Sequence, residues 1–298
     1  MRLRAGKRNG FTLIELLVVI AIIAVLSAMG ASAYFATVNR ARNNNTKTAL
    51  LALDNALKSH WNAVIEEAKK EDIPAGVRAW AAPDPTGDLA KVIWIKLRLM
   101  EAFPQSFAEI NSPWVYSSGL IPAGRQKYNA TYKRQLGGKG IAGDDAESAA
   151  CILLALSMDH GGAKKLDRDA LGTAYFVDTN NDGVLEIVDG YQQPIRFFRF
   201  PTGSGDLQTT YKSASATGGT FRDPLDPQGF LFKWPSAGTN RSTFENRVHP
   251  IASGASAIYT IPVLASAGKD SRFGLGNDLS ITVPADEQDN LYSYKERR

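Results

Sequence analysis

The chain has 298 residues, 44% hydrophobic and 21% charged, enough apolar side chain for a buried core in one large domain or two small ones. Its formal net charge of +4 is carried by Arg2, Arg4, Lys7 and Arg8; the rest is balanced and offers no phosphate-binding surface, so no nucleic-acid partner is expected. A single cysteine, Cys151, excludes an internal disulfide framework, and within "AACILLALSM" it reads as a small buried hydrophobe.

The first ten residues, MRLRAGKRNG, are basic and contain no acid. From Phe11 to Met29 the chain is apolar apart from Thr12, Glu15 and Ser27, and small residues continue the run to Ala33. About 20 such residues span the hydrocarbon core of a bilayer as a helix. The basic cluster should remain cytoplasmic, which places the bulk of the chain outside in a single-pass topology. An ordinary secretory signal peptide, cleaved after "ASA" at 31–33 to start at Tyr34, would make the protein an exported enzyme or binding protein. Against that alternative, the apolar run is longer than a typical signal core. A carboxylate inside the bilayer also costs about 2.5–3.5 kcal/mol at the helix centre, so Glu15 implies a partner.

The stretch "GFTLIELLVVIAIIAVL" resembles the processing site of type IV prepilins and type II secretion pseudopilins. The resemblance implies a leader of residues 1–10 ending at Gly10, a new N-terminal Phe11 that is N-methylated, and a retained acid at Glu15. It implies as partners a prepilin peptidase and N-methyltransferase, other pilin or pseudopilin subunits and an inner-membrane assembly platform. Cleavage would leave a cationic amine on Phe11, four residues from Glu15. The carboxylate could pair with that amine locally or with the amine of a neighbouring subunit, and the second pairing would set axial register.

Residues 11–33 read as the transmembrane and assembly helix and 34–72 as its amphipathic continuation. Leu50, Leu53, Leu57, Trp61, Val64 and Ala68 follow one another by threes and fours, and Pro74 ends the pattern. Gly30 and "RNNNTK" at 42–47 are the places for a kink or a melted turn. The extracytoplasmic head, 73–298, should be α+β. Helices are expected over 88–103 and 144–160, with an irregular insertion across 104–143 between them. Strands are expected in "TAYFV", "PIRFFRF" and "AIYTIPVLAS", and a mobile loop over 202–220. The whole reads as a long N-terminal helix packed on a head with a small antiparallel sheet.

Two acidic loops invite calcium. "DTNNDGVLEIVD" places Asp178, Asn180, Asp182, Gly183 and Asp189 at positions 1, 3, 5, 6 and 12 of an EF-hand-like loop, with Asp where the longer bidentate Glu is usual. The segment after it, "DGYQQPIRF", is similar to a structural turn of the major type II pseudopilins. "SAGKDSRFGLGNDL" at 266–279 also resembles those proteins, whose C-terminal loop binds calcium; the resemblance assigns Asp270 and Asp278 to the acid pair. Both loops also read as plain turns. No catalytic constellation is legible. His60, His160 and His249 lack ligand spacing and read as surface or helix-end residues, and "GGKGIAG" lacks the Lys-Ser/Thr of a phosphate loop. The expected function is therefore structural, not enzymatic.

Overall fold

The computed structural model describes residues 12–140, 143, 145–210, 223–235, 239–253 and 256–296. Its dominant element is α1 (Leu13–Lys70), a single helix of 58 residues and roughly 87 Å. It passes through Gly30 and through 42–47 without a break, so the melted turn expected there does not form. Packing supplies the reason: the Asn-rich turn is braced by the head. Tyr191 Oη donates to Asn39 O at 3.3 Å and to Asn43 Oδ1 at 3.0 Å, Tyr175 Oη donates to Asn45 O at 3.4 Å, and Gly190 N donates to Thr46 Oγ1 at 3.0 Å. Poor helix propensity of about 0.7 kcal/mol per residue is easily outweighed by such contacts.

From Leu50 to Ala68 the spaced apolar stripe is buried as its periodicity requires. Each of its large side chains contributes about 1.5–3 kcal/mol of transfer free energy. The stripe packs on α3 (Asp88–Ala102), reached through α2 (Ala75–Ala81). Nearly every side chain of α3 is buried, including Lys96, Arg98 and Glu101. Each of these finds a charged partner. Lys96 Nζ lies 3.1 Å from Asp223 Oδ2, and Arg98 reaches both Glu101 and Glu71, the latter at 2.8 Å.

The stretch from 104 to 140 is not irregular. It forms α4 (Phe107–Asn111), α5 (Trp114–Ser117) and α6 (Asn129–Leu136), which tuck Phe107, Ile110, Val115, Tyr132 and Leu136 into the core. Pro and Gly punctuate these short helices; they do not prevent them. Next, α7 (Asp145–Leu156), apolar from Ala149 onward and with Cys151 fully buried, packs against the strands.

The strands are short. A hairpin pairs β1 (Phe176–Val177) with β2 (Glu186–Ile187), Phe176 opposite Ile187. A three-stranded antiparallel sheet runs β3 (Arg196–Phe198), then β6 (Val263–Ser266), then β7 (Leu291–Tyr292), while β4 (Ala252–Ser253) and β5 (Ser256–Ala257) form a separate ribbon. Phe197 faces Leu264, and Ala265 faces Tyr292. The head is thus α+β with small antiparallel sheets, as expected. Within the loop expected at 202–220, Gly205–Thr210 is helical, and 211–220 lies outside the described residues.

Candidate assembly segment and acidic loops

Among the described residues, α1 is exposed at every position from Leu13 to Thr37. From Leu13 to Phe35 its large apolar side chains are all exposed, Leu13 at 82% and Val19, the least, at 47%. This stretch is long and apolar enough to cross a membrane. No monomeric water-soluble fold leaves such a surface open, so it requires lipid or other helices around it.

Glu15 stands at the head of this helix, and its partner within the chain is Thr12. Thr12 N and Thr12 Oγ1 each donate to Glu15 Oε2 at 2.8 Å, and Glu15 N donates back to Thr12 Oγ1 at 3.3 Å. This is a capping box, and "TLIE" spells it out in the sequence. It satisfies the orphan amide of the N-cap and offsets part of the cost of carrying a carboxylate in an apolar segment. Gly10 and Phe11 lie outside the described residues.

Further along, the head grips α1 at one close approach. A Cβ placed on Gly190 would stand 2.4 Å from Arg42 O and 2.9 Å from Thr46 Oγ1, so only glycine allows this backbone-to-backbone contact. Asp189 organises that turn. It is fully buried, its Oδ1 accepts from Tyr191 N at 2.7 Å and Gln193 N at 3.0 Å, and its Oδ2 accepts from Ser266 Oγ. Burial raises its carboxyl above the usual range against the pull of those hydrogen bonds.

Asp189 therefore stands apart from the other acids of the 178–189 loop. Asp178 and Asp182 converge instead with Glu186, a residue the spacing argument passed over although it occupies position 9. One ligand oxygen from each lies within 4.8 Å of the other two. Glu186 is 1% exposed, and desolvation, with Asp182 and Asp178 beside it, lifts its carboxyl above the usual range despite two bonds from Thr179. In the C-terminal loop, Asp270 Oδ1 accepts from Arg272 N at 2.9 Å, and Asp278 Oδ1 accepts from Ser280 N and Oγ. Both are exposed, and among the described residues neither belongs to a group of three acidic, His or Cys ligands.

The histidines are not surface residues. His60 and His160 are buried and meet at 2.9 Å between their Nδ1 atoms, and His249 is buried behind Phe200 and Phe244. Their sequence separation hid the pairing, since only the packing of α1 on the 160–164 turn brings them together.

Beside this geometry stands a likeness of sequence. Residues 6–31 match the prokaryotic N-terminal methylation motif. The match takes in Lys7, Arg8, Gly10, Phe11 and Glu15, and such a motif marks type IV pilin-like subunits. The methylation motif and the exposed apolar helix coincide on α1 and point to membrane anchoring through it. The chain matches no curated protein and no solved structure.

Proposed function

We propose that this chain is a pilin-like structural subunit, a pseudopilin of a type II secretion system or a subunit of a type IV pilus-like filament. A prepilin peptidase cuts after Gly10 on the cytoplasmic face, Phe11 is methylated, and the head stands outside the inner membrane until the subunit is drawn into a filament. Polymerisation proceeds by packing of the apolar half of α1 against the same half of its neighbours, with no catalysis by the head. The observation that carries this reading is the coincidence of the methylation motif with a helix that is bare from Leu13 to Phe35 and held by the head from Asn39 onward. A signal-peptidase cut after Ala33 fits less well, because Ala31–Ala33 is helical and such a site needs extended backbone.

N-terminal analysis of the mature protein tests it. A methylated Phe11 supports the reading, and a start at Tyr34 refutes it. Gly10→Val should leave the leader in place. Glu15→Val should be processed normally yet fail to enter filaments, because a carboxylate free to leave Thr12 is what meets the amine of a neighbouring Phe11. Wild-type assembly by Glu15→Val would remove the pairing role.

A further inference from the structure

The turn joining β1 to β2 is held by its own acids. Asp178 Oδ1 accepts from Asp182 N at 3.1 Å and Oδ2 from Gly183 N at 2.9 Å. Asp182 Oδ1 accepts from Val184 N at 2.8 Å, and Asn180 bridges Asp182 through its Oδ1 to the amide and through its Nδ2 to Oδ2. These bonds aim three carboxylates at one point, the third being that of Glu186. Glu186 Oε2 accepts from Thr179 N at 2.7 Å and Thr179 Oγ1 at 3.0 Å, but Glu186 Oε1 is buried with no hydrogen-bond partner among the described residues. A buried, unpartnered carboxylate oxygen beside two further carboxylates is a costly arrangement in a folded protein. The Lys139 side chain lies beside the turn at Gly183.

We propose that Asp178, Asp182 and Glu186, with Asn180, form a calcium site. Every donor is oxygen, as a hard cation requires, and the residues occupy positions 1, 3, 5 and 9 of a calcium-loop spacing. Position 12 is absent because Asp189 is committed to Ser266 and the 189–193 turn. Without a bidentate acid at that position the affinity falls in the range of extracellular modules, with Kd on the order of 0.1–1 mM. The ion ties the end of β1 to the start of β2, and so stiffens the hairpin whose neighbours Tyr175 and Gly190 hold α1. Calcium is favoured over magnesium because a compact loop of mixed carboxylates and carbonyls suits an irregular shell of six to eight oxygens better than a strict octahedron. The site stands on this geometry alone and does not depend on the pilin reading.

The test is calorimetric titration of calcium into the full-length protein in detergent after treatment with chelator. The expected result is one ion per chain, at least tenfold weaker binding in Glu186→Gln, and unchanged binding in Asp270→Ala. Glu186→Gln keeps an acceptor for Thr179, so its fold should be intact by circular dichroism; if it is not, Asp182→Asn supplies the same comparison. Absence of binding to the wild type up to about 10 mM, a Kd beyond that of known extracellular modules, would overturn the proposal. So would equal affinity in Glu186→Gln, or loss of binding in Asp270→Ala with retention in Glu186→Gln. Magnesium binding as tight as that of calcium would overturn the choice of ion.

Discussion

Acidification should loosen the head through His160, and the size of the effect follows from its surroundings. His160 is fully buried between α6 and the end of α7, stacked edge-on to Tyr128 at 4.7 Å and tilted against Phe103 at 5.2 Å. Its Nδ1 meets His60 Nδ1 at 2.9 Å, and His60 Nε2 meets Lys164 O at 3.0 Å. A carbonyl can only accept, so His60 carries its proton on Nε2 and its Nδ1 accepts from His160 Nδ1–H. Burial, reinforced by the neighbouring His60, lowers the pKa of His160 to about 3. In the unfolded chain the ring titrates near 6.5, so below that pH the unfolded state takes up the proton first. The contribution of the neutral ring is complete above about pH 6.5 and is lost by about 1.4 kcal/mol per pH unit until the folded ring titrates. Moving from about pH 7.5 to about pH 5.5 should therefore cost about 1.4 kcal/mol from this one group. Buried Glu186 and Asp189, raised by desolvation, act in the opposite sense, so the informative quantity is a difference between proteins. Urea unfolding of the wild type and of His160→Gln at both pH values supplies it. Whatever His160→Gln costs at neutral pH, its stability should fall less on acidification than that of the wild type, by about 1.4 kcal/mol. Identical pH dependence in the two proteins would refute the reasoning.

His249 should behave alike, since burial and then Lys96 hold it well below its ordinary value; His249→Gln should remove a second, similar decrement in the same assay. Gly190→Ala should cost about 1–3 kcal/mol, because the new methyl meets Arg42 O and Thr46 Oγ1 and neither backbone can yield; proteolysis around residue 45 of α1 should increase in parallel. Lys96→Ala leaves Asp223 buried beside Thr260 without its cation and should cost about 3–5 kcal/mol, whereas the combined Lys96→Met, Asp223→Asn change should recover most of that loss by urea unfolding. Equal stability of Lys96→Ala and wild type would mean that the pair contributes nothing.

The sequence by itself determined whatever depends on local spacing. The run from Phe11 to Met29, apolar apart from Thr12, Glu15 and Ser27, follows a basic cluster and specifies a membrane-length helix whatever comes after it, and the stripe from Leu50 to Ala68 specifies which face of α1 the head must cover. The Thr12–Glu15 capping box was equally local and could have been read from four residues. Burial and pairing at long range were decided only in three dimensions. Lys96, Arg98 and Glu101 on α3 are residue types that ordinarily face solvent, yet Asp223 and Glu71 reach them from distant parts of the chain and make burial tolerable. His60 and His160, 100 residues apart, became a pair when α1 docked. In the acidic loop, residue spacing grouped Asp178, Asn180 and Asp182 with Asp189, whereas the fold sets Asp178 and Asp182 beside Glu186. Glu186 sits opposite Val177 at the end of the hairpin, one residue from Asp178, while the turn at Val188–Pro194 carries Asp189 away to Ser266. Period and composition are properties of neighbours along the chain, whereas the partner of a buried charge is a property of the packed fold.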